Sequence, residues 1–164
     1  MDYATVQQIR NLNVSAEEVG EVLKMHDAGF PDASCVQAVQ IARNNGRAFR
    51  ADDIVGLKQA GMSERTIFEL ASLNDFDRNA GELEAMHLAG LSDAIVVEVA
   101  RRRAEGKPVL SGASLADLKN AGVRGATLLE LVRRGVPDSD ARSLLASRRH
   151  GASDAQLLHH FSGS

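Results

Sequence analysis

Cysteine is almost missing from this chain: Cys35 is the single one in 164 residues. One thiol excludes an intramolecular disulfide and any zinc site built from clustered cysteines. Tryptophan is absent and aromatic residues make up 4% of the chain, which leaves few platforms on which bases could stack. No apolar run approaches the roughly 20 residues that a membrane-spanning helix needs. Neither sign of charge dominates: 19 Lys and Arg stand against 22 Asp and Glu, a net of −3. That balance gives no global attraction to nucleic acid or to anionic lipid. No segment alternates in the manner of a strand. Met1-Asp2-Tyr3-Ala4-Thr5 carries neither the basic nor the apolar stretch of a secretory leader. A cytoplasmic location, with no membrane partner, is the expectation.

What is present is a folded core, with 44% hydrophobic and 25% charged residues. The strongest local signal is a recurring turn. Ala28-Gly29-Phe30-Pro31-Asp32, Ala60-Gly61-Met62-Ser63-Glu64 and Ala89-Gly90-Leu91-Ser92-Asp93 share one form, with looser versions at Gly122, Gly135 and Gly151. Asn13 takes the glycine's place in Leu12-Asn13-Val14-Ser15, where Ser15 and Glu18 have the capping-box spacing. A left-handed residue just past a helix end, followed by an apolar residue folding back on the last turn, is the Schellman ending. The apolar pairs it needs are Ile9–Val14, Met25–Phe30, Leu57–Met62, Met86–Leu91, Leu118–Val123 and Leu131–Val136. Only the Gly151 turn, with Ser147 and Ala152, is poor in this respect.

A longer period lies over these turns. Gly29 to Gly90, Gly61 to Gly122 and Gly90 to Gly151 are each 61 residues, as are Asn13 to Asn74 and Asn74 to Gly135. Residue types agree as well as spacing. Gly20-Glu21-Val22, Met25-His26 and Ala28-Gly29 match Gly81-Glu82-Leu83, Met86-His87 and Ala89-Gly90, while Leu57-Lys58-Gln59-Ala60-Gly61 matches Leu118-Lys119-Asn120-Ala121-Gly122. The pattern predicts an all-α fold of tandem short hairpins in an internally duplicated array, either α-solenoid-like or a compact bundle. A single helical repeat domain over 1–164 is expected, with a partial unit at 1–13, units at 14–74 and 75–135, and a partial unit at 136–164. Helices are expected near 2–12, 15–28, 32–44, 51–60, 63–73, 77–89, 92–105, 114–121, 125–134, 138–150 and 153–161. The final Ser162-Gly163-Ser164 is expected to fray.

Chemistry-bearing residues are sparse. His26 and His87 recur, but each falls in a last helical turn, where a basic group complements the dipole and the free carbonyls. The third copy has Arg148 at that place, so a permanent cation serves as well as an imidazole. His159 and His160 are adjacent, and neighbours on a helix do not face one point. Cys35 corresponds to Val96, which reads as a small core position. Glu69 with Glu130, and Lys58 with Lys119, read as solvated or ion-paired faces. No metal, no cofactor and no enzymatic activity are expected.

Charge is unevenly distributed. Residues 1–82 hold 8 basic and 13 acidic side chains, and residues 83–164 hold 11 and 9. The basic excess gathers at Arg101, Arg102, Arg103 and Lys107, at Arg133 and Arg134, and at Arg148 and Arg149. These are the candidate partner-binding residues, although all sit at helix ends where they complement the dipole. Asn13, Gly29, Gly61, Gly90, Gly122, Gly135 and Gly151 are the structural turn residues.

Leu118-Lys119-Asn120-Ala121-Gly122-Val123-Arg124-Gly125-Ala126 resembles a helix-hairpin-helix DNA-binding turn, a resemblance that implies a phosphate contact. The spacing beyond the second glycine departs from that pattern, and the other turns lack the glycine. Gly61-Met62-Ser63-Glu64-Arg65-Thr66-Ile67 likewise resembles the turn of a helix-turn-helix. The expected function is a non-catalytic interaction or scaffold module, binding a protein or peptide partner or other copies of itself. The alternative is a nucleic-acid-binding helical protein that uses the basic second half.

Overall fold

A computed structural model describes residues 1–161 of the chain; the expected fraying at 162–164 lies outside the described residues. Eleven α-helices and no strand occur among them. They are α1 (Tyr3–Arg10), α2 (Ala16–Asp27), α3 (Asp32–Asn44), α4 (Asp52–Gln59), α5 (Glu64–Ala71), α6 (Phe76–Leu88), α7 (Asp93–Ala104), α8 (Gly112–Asn120), α9 (Gly125–Arg133), α10 (Ala141–Arg149) and α11 (Asp154–His160). None of these helices is long and apolar enough to cross a membrane. Every helix expected from the sequence is present. The one departure in kind is at 138–140, where a 3₁₀ turn, Asp138–Asp140, precedes α10.

The helix ends follow from local chemistry. Gly29, Gly61, Gly90, Gly122, Gly135 and Gly151 have φ between +73° and +95°, and Asn13 has φ +55°. At the six glycine turns the following amide donates back to the carbonyl six residues earlier in the motif: Phe30 to Met25, Met62 to Leu57, Leu91 to Met86, Val123 to Leu118, Val136 to Leu131 and Ala152 to Ser147, at 3.0–3.3 Å. The Ser147–Ala152 turn therefore closes like the rest despite lacking the apolar pair. Two further turns close in the same way at Gly46 and Gly106, where Arg47 donates to Ala42 and Lys107 to Arg102. Helix starts are capped by Asp2, Ser15, Ser63, Ser92, Ser111 and Ser153, with full capping boxes at Ser15–Glu18 and Ser153–Gln156.

The chain divides into two compact units, Met1–Ala80 and Gly81–Ser164, with the division falling inside α6. In the first unit α1 packs on α3, α2 on α3 and α4, and α5 on both α3 and α4. In the second, α9 packs on α7, α8 and α11, and α10 packs on α8 and α11. Next-but-one contacts thus recur in both units. The first core is centred on Met25, Val39, Leu57, Ile67 and Leu70, and the second on Leu83, Met86, Ile95, Leu118, Leu128 and Leu131, all essentially inaccessible. Cys35 and its sequence counterpart Val96 are both fully buried, as small core residues would be.

Candidate functional site

The arginines singled out by charge turn inward more than their clustering suggests. On α7, Arg102 donates to the carbonyls of Pro108 at 3.0 Å and Arg133 at 3.3 Å, while Arg103 forms a two-pronged pair with Glu82. Lys107 pairs with Glu105 at 2.6 Å. Arg134 donates to Glu130 at 2.9 Å and to the Leu158 carbonyl at 2.8 Å. Arg148 donates to the carbonyls of Ala121, Gly122 and Ala152 and to Asp154, all at 3.0–3.1 Å. Arg101, Arg133 and Arg149 remain exposed. Position at a helix end suggested that these cations serve their own helix. Several instead satisfy the last carbonyls of another one, because a guanidinium reaches further than the final turn of its own helix.

Two glutamates organise the longer connections, and both escaped the sequence reading in this role. Glu18, nearly buried on α2, accepts from Arg43 Nη2 at 2.7 Å, from the Ser15 amide at 3.1 Å and from the Phe49 amide at 2.9 Å. The Arg43 hydrogen bond, opposed by burial and helped by the two amides, lowers the Glu18 pKa to about 2. Arg43 also donates to the carbonyls of Leu12 and Asn13, so α1, α2, α3 and the 45–50 connection meet at one ionic node. In the second unit Glu82 takes both prongs of Arg103 and the Gly112 amide at 2.9 Å, which ties down the 106–113 connection. Its carboxyl is held below the ordinary range, chiefly by Arg103. A signal for this did exist: Glu21, one repeat before Glu82, accepts from the amide of Ala51, one repeat before Gly112.

The recurring histidines have recurring neighbours. His26 lies 3.9 Å from Asp32 and His87 lies 3.7 Å from Asp93, while Arg148 meets Asp154 at 3.0 Å. The aspartates face helix N-termini: Asp32 accepts from the Asp2 amide at 3.0 Å, and Asp154 accepts from the Arg124 amide at 3.1 Å and the Thr127 hydroxyl at 2.8 Å. Burial pushes the Asp154 pKa up, but Thr127, the Arg124 amide and nearby arginines outweigh it, so the group stays below its ordinary value. This arrangement bears on the turn at 118–126. Its Arg124 amide, which would meet a phosphate in a helix-hairpin-helix, is already held by a carboxylate of the same chain. No group of three or more metal-ligating side chains occurs among the described residues.

The first unit carries two shallow clefts, each of about 480 Å³. One lies along α3 and α5 beside Ser34, Gln37, Arg65 and Phe68; the other lies along α2 and α4 beside Lys24, Asp52 and Val55. Both open widely to solvent, and neither gathers a catalytic set. The more unusual surface is apolar: Tyr3 is 78% exposed and Val6 39% on α1, and Val19 is 43% exposed on α2, with Leu23 also out in solvent. No family model matches the chain, and neither the curated proteins nor the solved structures include a significant match.

Proposed function

We propose that the chain is a non-catalytic interaction module: a tandem array of helical hairpins, internally duplicated over 61 residues, that binds a protein partner. Next-but-one packing within each unit supports the array, since a helix held on both sides by its second neighbours is the building pattern of stacked hairpins. Matching polar ties support the duplication. Glu21 with Ala51 corresponds to Glu82 with Gly112, and Asp2 with Asp32 corresponds to Arg124 with Asp154. Thr5, Thr66 and Thr127, one per repeat, are each 7% exposed.

The observation that carries the binding role is the exposed apolar side of α1. A contiguous apolar surface on a monomer marks a contact site more often than chance. The test is crosslinking followed by affinity capture with the full chain, run beside Val6→Glu. Recovery of a protein in fixed proportion, lost with Val6→Glu, is the expected result. A turnover activity traced to a defined residue would overturn it.

Nucleic acid is the competing ligand, and titration with duplex DNA and single-stranded RNA measures it. The engaged state of Arg102, Arg103, Arg134 and Arg148 supports binding no tighter than about 10⁻⁴ to 10⁻⁶ M. Submicromolar affinity with a steep salt dependence, abolished by changing the exposed Arg101, Arg133 and Arg149 to Glu, would put nucleic acid first.

A further inference from the structure

We propose that the open side of α1 is the docking face for a second copy of this chain, which presents its α11, so that copies join head to tail. The inference rests on reading the chain as an interaction module, and it names the partner.

The first argument is internal precedent. Repeat positions 6, 67 and 128 are Val6, Ile67 and Leu128; the last two are fully buried, whereas Val6 is 39% exposed. Arg10 is exposed where Ala71 and Val132 are buried, and Val19 is 43% exposed where Ala80 is 4% exposed. The other side of α1 behaves like its counterparts, since Ile9, Leu70 and Leu131 are all buried. The difference has a visible cause. α5 has α3 packed on it and α9 has α7, in addition to whatever follows them, whereas α1 packs on α3, its following neighbour. The missing cover is therefore a helix of the α3 and α7 kind.

The chain contains a third helix of that kind. Asp154, Leu157 and Leu158 of α11 stand where α7 has Asp93, Val96 and Val97, and where α3 has Asp32, Cys35 and Val36. Leu158 and Phe161 are half-buried, whereas their counterparts Val97 and Ala100, Val36 and Val39 are buried. This end has apolar surface left to cover.

Charge supplies the second argument. Residues 1–27 carry Asp2, Glu17, Glu18, Glu21 and Asp27 against Arg10 and Lys24. Residues 141–161 carry Arg142, Arg148 and Arg149 against Asp154, together with His150, His159 and His160. An acidic head therefore meets a basic tail, while two heads or two tails repel. Such a joint is heterologous, so it extends into chains of copies unless rotation closes a ring.

His160 moderates the joint. It is exposed, and its counterparts Ala38 and Val99 are buried residues of helices that carry a following helix. Its imidazole limits docking that a smaller apolar side chain would favour.

The experiment measures the mass of the full chain by analytical ultracentrifugation across a wide concentration range. Mass rising progressively with concentration is expected, with His160→Val tightening the association at least about tenfold and Val6→Glu or His160→Glu abolishing it. All three positions are at least partly exposed, and circular dichroism checks that the variants fold. A mixture of Val6→Glu with His160→Glu has one sound head and one sound tail, and is expected to form a dimer that neither forms alone. Monomers at every concentration for both the native chain and His160→Val would overturn the proposal. So would a dimer insensitive to His160→Glu, which would mean two heads meeting. Capture of a different protein by a strictly monomeric chain, lost with Val6→Glu, would overturn self-association while leaving the interaction-module reading intact.

Discussion

Replacing Glu18 by Gln removes one charge from the centre of the first unit and changes little in shape. In the native protein both carboxylate oxygens accept: one from Arg43 and the Ser15 amide, the other from the Phe49 amide. An amide offers one acceptor oxygen and one donor group, so either the Phe49 amide or the Arg43 guanidinium then faces a donor. A buried group left unsatisfied costs about 1–3 kcal/mol, and losing the charge weakens what remains. The depressed pKa gives an independent figure. Lowering from 4.5 to about 2 corresponds to about 3 kcal/mol of linked stability. The two routes agree on a loss of about 2–4 kcal/mol, which for a chain of this size lowers the melting temperature by roughly 4–16 °C. Because the folded pKa lies below the unfolded one, the contribution is complete above pH 4.5 and is lost as pH falls through about 2. Thermal unfolding of native and variant protein, followed by circular dichroism from neutral pH down to pH ~2, should show two curves that converge on acidification. A Gln variant within about 0.5 kcal/mol of native at neutral pH, or one running parallel to native across the acid range, would refute the ionic node.

Other outcomes follow from the same structure. Gly29→Ala, at φ +93°, should cost about 1–2 kcal/mol, whereas Gly20→Ala, inside α2 with no atom within 4 Å of the added methyl, should stabilise by about 0.5–1 kcal/mol; paired denaturant titrations check both. Cys35→Val should change stability by less than about 1.5 kcal/mol, and the native thiol, buried and with its pKa raised mainly by desolvation, should resist alkylation until the unit opens. Asp154→Ala should expose the amide start of α9, with hydrogen exchange at Arg124 accelerating and stability falling by about 1–3 kcal/mol.

Helix existence was legible in the sequence because helix ends are local events. A glycine at one position, an apolar residue at the next and a serine two further on are enough to stop one helix and start another. The Gly46 and Gly106 turns escaped because the residues after them, Arg47 and Lys107, lack the apolar signature, although their backbones close in the same way. The start of α10 was placed too early because Pro137 and Asp138 are good opening residues. The backbone takes one 3₁₀ turn there, and Asp138 meanwhile accepts from the Ser111 amide and the Ser114 hydroxyl.

Tertiary ties were much less legible. Glu18 reads as a capping-box residue from its neighbours three positions away, and it is one, but its stronger partners lie 25 and 31 residues ahead. Spacing rules stop at one helix, so they cannot reach Arg43 or Phe49. The candidate arginines show the same limit from the other side: clustering in sequence implied a shared outward surface, whereas Arg102, Arg134 and Arg148 reach carbonyls 24 to 31 residues away.

In a chain that repeats itself, agreement between copies reports on folding, and disagreement is where a function can show. Thr5, Thr66 and Thr127 agree in type and burial because each does the same packing task. Val6 keeps the apolar character of Ile67 and Leu128 without their cover, so the repeat alone does not account for it. His160 reverses the case, being polar where Ala38 and Val99 are apolar. An apolar head that invites a helix, opposite a tail that partly refuses one, would limit growth of the array where two indifferent ends would not. That asymmetry depends on exposure, which composition and spacing do not report, and so it could be read only once the helices were placed.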